Sequence, residues 1–488
     1  MRLSQLLSGI ETAKILNFKD CEIEDIDNDS RQVFSRSLFF AVNGNNTDGN
    51  NFVSDAVKRG AVAVISEREN QTHVPQIIVK DVKKAMAEIA MRFFKPKKDR
   101  VKVIGVVGTN GKTTSTFILK SILEEAGHKT GIIGTLGAFY LKAFVEPELT
   151  TPDSIGFYKI LMDMANAGVE YAVVELSAHA IAQNRTGNLK FEALLFTNCT
   201  QDHLDYFKDF SRYEQVKMSV FDNHYCNFAV INSDDQTGLK LINSGKVRTV
   251  TYGLENPSDV FAVNVENSKM GVKFVMNLFD DILNVSYRSI GRFNVYNCLG
   301  ASALASAMGV SSQDIVEGIK KVTCVPGRME FIESYNGADI FIDYAHTPDG
   351  LENLLKSLKE LTKNRLIVVF GCGGNRDNSK RAVMGEIAGK YADFSIITSD
   401  NPRFEDAYQI ISEVEKGVRK QTLSYITIQN REMAIGYAVS KLEKGDVLVV
   451  SGKGAEEYQE IMGVKLKFSD RETIKDVIAK IKFSGELI

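Results

Sequence analysis

Gly105-Val106-Val107-Gly108-Thr109-Asn110-Gly111-Lys112-Thr113-Thr114 closes the mostly apolar run Val101–Val107. It leads directly into Ser115-Thr116-Phe117-Ile118-Leu119-Lys120-Ser121-Ile122-Leu123. A buried strand, a glycine-rich turn and an amphipathic helix in that order predict a phosphate-binding loop, because successive backbone N–H groups and the helix N-terminus converge on one anion. Lys112 is placed to reach terminal phosphates, and the hydroxyl of Thr113 or Thr114 to hold magnesium. The strict pattern G-x-x-x-x-G-K-[ST] asks for glycine at position 106, where this chain has valine. Gly105 and Gly108 stand in for it, and the strand–loop–helix context carries the reading.

A chain of 488 residues exceeds what one hydrophobic core supports, so two to four domains are expected. Apolar residues at 44% and charged residues at 25% are ordinary for a globular protein. A net charge of −3 offers no general attraction to nucleic acid or acidic membranes. No stretch approaches the roughly 20 apolar residues of a membrane helix. The N-terminus, Met1-Arg2-Leu3-Ser4-Gln5-Leu6-Leu7, lacks the apolar core and cleavage site of a secretory signal, so a cytoplasmic protein is expected. Cys21, Cys199, Cys226, Cys298, Cys324 and Cys372 form no C-x-x-C pair. They read as buried reduced thiols rather than a zinc site or a disulfide framework.

Outward from the loop, the fold class is α/β. Residues 1–98 read as a small domain with strands at Leu38–Val42, Ala61–Ile65 and Ile77–Val79. The polar loop Asn43–Asn51 reads as solvated on composition. Lys95-Pro96-Lys97-Lys98-Asp99-Arg100 reads as a charged, proline-bearing linker to a central unit, 99–327. That unit alternates strands and helices as a mostly parallel sheet requires. In open α/β sheets ligands sit off the carboxyl ends of strands, so Glu175, ending Tyr171–Val174, lies where a magnesium–nucleotide ligand or a helix cap belongs. Asp202-His203-Leu204-Asp205 is open between metal ligation and turn capping. Lys217, by helical spacing alone, reads as an ordinary surface lysine. Period-two alternation through Phe261, Val263 and Val265, then Val272, Phe274 and Met276, predicts antiparallel strands over 258–290.

The pattern breaks at Val325-Pro326-Gly327-Arg328, and 328–488 reads as a third α/β unit. Four buried strands end there in polar or glycine-rich tips: Asp343-Tyr344-Ala345-His346, Gly371-Cys372-Gly373-Gly374-Asn375-Arg376, Asp400-Asn401-Pro402-Arg403 and Ser451-Gly452-Lys453-Gly454-Ala455-Glu456. They describe one binding face. Arg376 and Arg403 suit a carboxylate, while Asp400 and Glu456 suit an ammonium. An amino acid presents both.

The sequence resembles the Mur ligases end to end. The resemblance rests on Gly108–Thr114, His203-Leu204-Asp205-Tyr206, Pro326-Gly327-Arg328-Met329-Glu330, Asp343-Tyr344-Ala345-His346-Thr347-Pro348-Asp349 and Asp400-Asn401-Pro402-Arg403. It implies three domains: a UDP-binding domain, a central P-loop ATPase domain and a C-terminal Rossmann-like domain. It also implies ATP-dependent addition of a diamino acid to UDP-N-acetylmuramoyl-L-alanyl-D-glutamate by a monomer with two magnesium ions.

By the same resemblance Ser30, Asn45, Asn46, Thr47, Thr150, Thr151, Ser177, Gln183 and Arg185 would hold the UDP-sugar peptide. Gly108, Thr109, Asn110, Gly111, Lys112, Thr113, Thr114, Asn297, Arg328 and Asp343 would hold ATP. Thr113, Glu175, His203 and Lys217, the last as a carbamate (N6-carboxylysine), would be metal ligands; Lys112, Glu175, His203 and Lys217 form the implied catalytic set. Arg376, Asp400, Asn401, Pro402, Arg403, Gly452 and Glu456 would hold the amino acid.

The Asp-Asn-Pro-Arg form is associated with meso-diaminopimelate, because Arg403 would meet a carboxylate that L-lysine lacks. Three positions depart from the usual family pattern: Ala178, Asn45 and Ala455. Rival readings are addition of L-lysine, a folyl-polyglutamate-type ligase, a P-loop switch and a non-catalytic binding paralogue. The domain before the phosphate loop argues against the folyl ligase, and intact Lys112, Glu175, His203 and Lys217 argue against lost turnover.

Overall fold

The computed structural model describes residues 1–44, 47–94 and 101–485, with side chains through 483. Three sheets follow one another along the chain. The first has five strands in the order Thr12–Leu16, Gln76–Val79, Ala61–Ser66, Ser37–Phe40, Asp25–Asp27. All pairs are parallel except the first. Its inner strands are continuous apolar runs because they are covered on both faces. The expected linker, 95–100, lies outside the described residues.

The second sheet has eleven strands, and Lys102–Val107 lies inside it, parallel to Tyr171–Glu175 on one side and Ala193–Phe196 on the other. After Lys102–Val107 the chain crosses to Thr130–Gly134 and returns to Tyr171–Glu175. It then switches to the opposite side for Ala193–Phe196, Ala229–Asn232 and Thr249–Gly253. The loops after Lys102–Val107 and Ala193–Phe196 therefore diverge, opening the crevice where such sheets bind ligands. The expected period-two segment forms the antiparallel strands Val260–Ser268, Gly271–Leu278 and Asp281–Tyr287 at the sheet's edge.

The helix after the phosphate loop, Lys112–Glu125, buries Ile118, Leu119, Ile122 and Leu123 against this sheet. It ends before Gly127, whose φ of +87° is the usual left-handed exit. Gly111, at its N-terminus, has φ +85°, and a Cβ there would fall 2.4 Å from Asn297 Oδ1. Only glycine satisfies both constraints.

The third sheet, six strands in the order Glu330–Tyr335, Ala338–Asp343, Val447–Ser451, Leu366–Phe370, Phe394–Ile397, Tyr425–Thr427, is parallel apart from its first strand. A two-stranded antiparallel hairpin, Tyr458–Ile461 and Val464–Lys467, stands apart from it. Among the described residues no helix is long and apolar enough to cross a membrane. The cysteine expectation needs correcting at two positions: Cys199, Cys226, Cys298 and Cys372 are buried, but Cys324 is exposed and Cys21 half-buried.

Candidate active site

The phosphate loop is built by tying two diverging loops together. Thr109 N donates to Asn198 O at 2.9 Å, Asn110 N to Asn198 Oδ1 at 2.9 Å, and Thr197 Oγ1 to Asn110 O at 2.7 Å. Lys112 folds back on its own loop, its ammonium donating to the carbonyls of Gly108 and Thr109 at 2.9 Å each. Burial lowers its pKa. Thr113 Oγ1 donates to Glu175 Oε2 at 2.9 Å and accepts from Arg328 Nη2 at 3.0 Å. Thr135 aims the Glu175 carboxylate through its N–H at 2.9 Å and its hydroxyl at 3.0 Å.

Arg328 thus carries the third sheet's unit onto the phosphate loop. Asp343, the last residue of its strand, fixes that approach by accepting from Met329 N at 2.6 Å and Ala345 N at 2.7 Å; burial raises its pKa. The Arg328 guanidinium carbon lies 4.2 Å from the Tyr344 ring centre. Asn110 Nδ2 also donates to Asp349 Oδ2 at 2.7 Å. Between the two units lies a cavity of about 610 Å³, lined by residues 108–114 together with Thr150, Glu175, Ser177, His203, Asn297, Arg328 and Asp343. A volume of that size suits a nucleotide-sized ligand.

Lys217 corrects its reading as a surface lysine. The helix Phe210–Met218 turns it inward, where it is 1% exposed. It donates to Thr109 Oγ1 at 2.7 Å and sits 4.1 Å from the Tyr213 ring centre. Burial pushes its pKa down to about 7, so the amine is readily neutral. Helical spacing puts Tyr213 on the same face but could not show this burial, because the polar partner, Thr109, is 108 residues away.

His203 has φ +57°, the left-handed region, and its Nε2 lies 3.3 Å from Asp202 Oδ2. Burial pushes its pKa down to about 3, leaving a neutral imidazole. Asp202, open on sequence between metal ligation and turn capping, accepts from His203 N at 2.9 Å. It gathers Lys380 Nζ at 3.4 Å and His346 Nε2 at 3.8 Å from the third unit. Burial alone would raise its pKa, but the Lys380 ammonium, joined by His203 and His346 once acid protonates them, outweighs it and holds the carboxyl well below the usual range.

Of the candidate UDP-sugar-peptide residues of the central unit, Thr150 and Ser177 line the cavity, while Thr151, Gln183 and Arg185 do not. Thr150 Oγ1 is 3.2 Å from Thr135 Oγ1. Thr151 Oγ1 donates to Glu175 O at 2.6 Å, and its carbonyl accepts from Arg185 Nη1. Ser177 Oγ accepts from Ala180 N at 3.2 Å, and Gln183 Oε1 accepts from Arg185 Nη2 at 3.0 Å. Ser30 is buried in a turn of the first unit, and Thr47 is exposed. Neither lines the cavity. Asn45 and Asn46 lie outside the described residues.

The candidate amino-acid residues form a second network. Asp400, Asn401, Gly452 and Glu456 surround Lys453, whose ammonium is fully buried. Lys453 Nζ donates to Asn401 Oδ1 at 2.9 Å and to Glu456 Oε2 at 3.2 Å, and lies 4.0 Å from Asp400 Oδ1. Burial would raise the Asp400 pKa, but Lys453 and Arg431 pull it below the ordinary value. Glu456 goes the other way, raised by burial. Pro402 is buried; Arg403 is paired with Glu460; Arg376 is exposed and bears electrostatically on His179 of the central unit. Sequence quoted the Lys453 tip but assigned that lysine no role, because one of its two carboxylate neighbours, Asp400, comes from another strand end.

Among the described residues no group of three or more His, Cys, Asp or Glu converges on a metal position. Thr113 and Glu175 instead offer two oxygen donors beside the phosphate loop. That fits magnesium, which takes most of its ligands from phosphate and water.

The Mur ligase middle-domain model matches residues 106–305, the Mur ligase glutamate ligase domain 327–454, and the Mur ligase catalytic-domain model 22–94. The UDP-N-acetylmuramoyl-L-alanyl-D-glutamate--2,6-diaminopimelate ligase of Caldanaerobacter subterraneus subsp. tengcongensis is 40% identical over 482 residues, covering 98% of this chain and 99% of that protein. The chain belongs to the Mur ligase family. The 2,6-diaminopimelate ligase of Clostridium tetani is 39% identical over 99% of this chain and 100% of its own length. A solved structure of a UDP-N-acetylmuramoyl-L-alanyl-D-glutamate--2,6-diaminopimelate ligase superposes with a TM-score of 0.67 at 32% identity, covering 94% of this chain and 95% of the other. MurF of Thermotoga maritima, solved with ADP, shares the fold at a TM-score of 0.65 and 18% identity over 93% of this chain and 97% of that one.

Proposed function

We propose that this Mur ligase is an ATP-dependent amide ligase that adds meso-diaminopimelate to the D-glutamate of UDP-N-acetylmuramoyl-L-alanyl-D-glutamate, as a cytoplasmic monomer in peptidoglycan precursor synthesis. The observation that carries the reading is the junction at Thr113. One hydroxyl there touches both Glu175 of the phosphate-loop unit and Arg328 of the unit that bears the amino-acid network. Nucleotide and amine would thereby be brought to a single seam.

In the reaction the D-glutamate side-chain carboxylate attacks the γ-phosphorus of ATP, the bond to the ADP oxygen breaks, and an acyl phosphate results. The amine of the amino acid then attacks the acyl carbon, loses a proton and expels phosphate. Lys112 would hold positive charge against the transferred phosphoryl group, and Arg328 would add a second cation from the third unit. Asn297 and Asp343 would position the nucleotide. Thr150, Thr151, Ser177, Gln183 and Arg185, with Ser30, Thr47, Asn45 and Asn46, would hold the uridine-sugar peptide. Arg376, Arg403, Asp400, Asn401, Pro402, Gly452 and Glu456 would orient the amino acid so that its amine meets the acyl carbon.

Thr113 and Glu175 would hold one magnesium, and the neutral His203 with a carbamylated Lys217 a second. Magnesium, when bound, neutralises phosphate charge. The neutral form of the Lys217 amine would attack carbon dioxide through its nitrogen and release a proton, leaving a carbamate that is an anionic oxygen donor. The three units would fall at 1–98, 99–327 and 328–488.

The test is ADP release with UDP-N-acetylmuramoyl-L-alanyl-D-glutamate, offering meso-diaminopimelate and L-lysine separately. Release that needs both substrates and favours diaminopimelate is expected. Preference for lysine overturns the role of Arg403, and release independent of the UDP-sugar peptide overturns the ligase reading.

A further inference from the structure

Resting on the amino-acid pocket read above, we propose that Glu460 is a specificity-positioning residue. It holds the Arg403 guanidinium in the orientation that receives the carboxylate distinguishing diaminopimelate from lysine. Glu460 lies on the first strand of the hairpin 458–467, which no sequence motif singled out.

The hairpin grips the Asp400–Arg403 tip along its whole length. Gln459 Nε2 donates to Asp400 O at 2.6 Å, and Glu460 N donates to Asn401 Oδ1 at 2.9 Å. Arg403 N donates to Glu460 O at 3.0 Å, and Met462 N donates to Arg403 O at 2.7 Å. This stitching holds Arg403 at φ +53°, a backbone region costly for any side chain but glycine. Such a conformation persists only where its surroundings over-determine it.

The side chain is over-determined as well. Arg403 Nε donates to Glu460 Oε2 at 3.1 Å, and Nη1 donates to Gly374 O at 2.8 Å. A Cβ at Gly373 would stand 3.0 Å from Arg403 Nη1, and one at Gly374 would collide with Pro402 O at 2.0 Å. Gly373 therefore leaves the room the guanidinium occupies, and Gly374 lets its chain pass close to the backbone of the Asp400–Arg403 tip. A guanidinium has five N–H donors in a rigid fork. Two are engaged here, and among the described residues Nη2 has no hydrogen-bond partner. The Nη1–Nη2 edge, the one that meets a carboxylate bidentately, keeps three donors. Glu460 fixes the plane from the Nε edge and leaves that recognition edge open.

An acceptor at Nε, not the negative charge, is what this role requires. Glu460→Ala removes the acceptor; Glu460→Gln keeps an amide oxygen in its place and removes only the charge. The experiment measures kcat and KM for meso-diaminopimelate, residual turnover with L-lysine, and KM for ATP, in wild type and both variants. Glu460→Ala should raise the diaminopimelate KM about tenfold with kcat nearly unchanged, the size of one misaligned charge-assisted contact. Glu460→Gln should restore it to within about twofold of wild type. Lysine turnover and the ATP KM should not move in either.

A diaminopimelate KM that is unchanged or lower in Glu460→Ala overturns the proposal, as does an equal shift in Ala and Gln, which would assign the effect to charge. A parallel loss with lysine or ATP also overturns it, because that pattern belongs to a disturbed hairpin. Wild-type protein that uses neither diamino acid overturns both the reading of the pocket and this inference.

Discussion

The phosphate loop and the amino-acid pocket solve recognition in opposite ways. The loop is one contiguous segment whose ligand-facing groups are mostly backbone N–H, held by glycine geometry at Gly111 and by the Asn198 tie. The pocket is a set of side chains from three strand ends and a hairpin, already paired with one another through Lys453 and Glu460. A backbone site is specified by a short run of sequence and tolerates little variation in any part of it. A side-chain network is specified by tertiary placement, and its individual members can be exchanged to tune the ligand. The first should fail at chemistry when damaged, the second at affinity and selectivity.

Lys112→Ala gives the largest expected effect and tests that division directly. Removing a cation aimed at developing charge in a desolvated site should lower kcat for ADP release by about three orders of magnitude. Calorimetric affinity for the amino acid, measured with the UDP-sugar peptide present, should stay within about twofold. A comparable loss of amino-acid affinity would break the separation between the two regions.

Lys217→Met should lower kcat by about a hundredfold, and the wild-type lysine should give a carbamate resonance with labelled bicarbonate by ¹³C NMR. The sign with pH follows from burial. With a pKa of about 7 in place of the ordinary 10.5, the neutral amine grows from about a tenth of molecules at pH 6 to about nine-tenths at pH 8. The carbamate signal, at constant dissolved carbon dioxide, should grow with it. A signal that is flat over that range, or that survives in Lys217→Met, would remove this lysine from the set.

How much of this was legible follows the same contrast. The strands, the loop after Val107, Glu175 at a strand end and the four tips of the third sheet could be read directly, because buried parallel strands are apolar runs and their ends are abrupt. Lys217 could not be read from its helix, since its burial depends on Thr109 and on how Tyr213 packs. Asp202, Lys380 and His346 meet only when two units dock, at sequence separations of 178 for the lysine pair. The hairpin 458–467 alternates too briefly to announce a role, and nothing in its sequence points back to Arg403. What a segment contributes to its own strand or turn is local; what it contributes to another segment's side chain is not.

The Asp202–Lys380 pair joins the two regions. Each side chain is 7% exposed, so Lys380→Met strands a buried carboxylate, at a cost of about 3 kcal/mol to docking of the third unit. Because Arg328 and the amino-acid pocket arrive on that unit, kcat should fall about tenfold or more, and the ligand-bound protein should scatter X-rays as a more open particle. Asp202→Asn with Lys380→Met should recover part of the loss, because no uncompensated charge remains. Equal activity in the single and double variants would mean that the pair does not set docking.

The smallest effect concerns Glu456 and separates the pocket's two carboxylates. Burial raises the Glu456 pKa above its ordinary 4.5, whereas Lys453 and Arg431 hold Asp400 below its ordinary 3.8. As pH falls, Glu456 takes a proton first, becomes neutral and ceases to attract an ammonium, while Asp400 stays ionised. Amino-acid affinity should therefore weaken by about three- to tenfold on acidification, starting at a higher pH than an ordinary glutamate would give. Calorimetric titration of meso-diaminopimelate from pH 5 to 8 measures it, and Glu456→Gln should flatten the profile at its acid-weakened end. A profile unchanged by that substitution would assign the dependence to another group. It would also mean that Lys453, and not the ligand's ammonium, is the lasting partner of Glu456, leaving Asp400 to hold the amine alone.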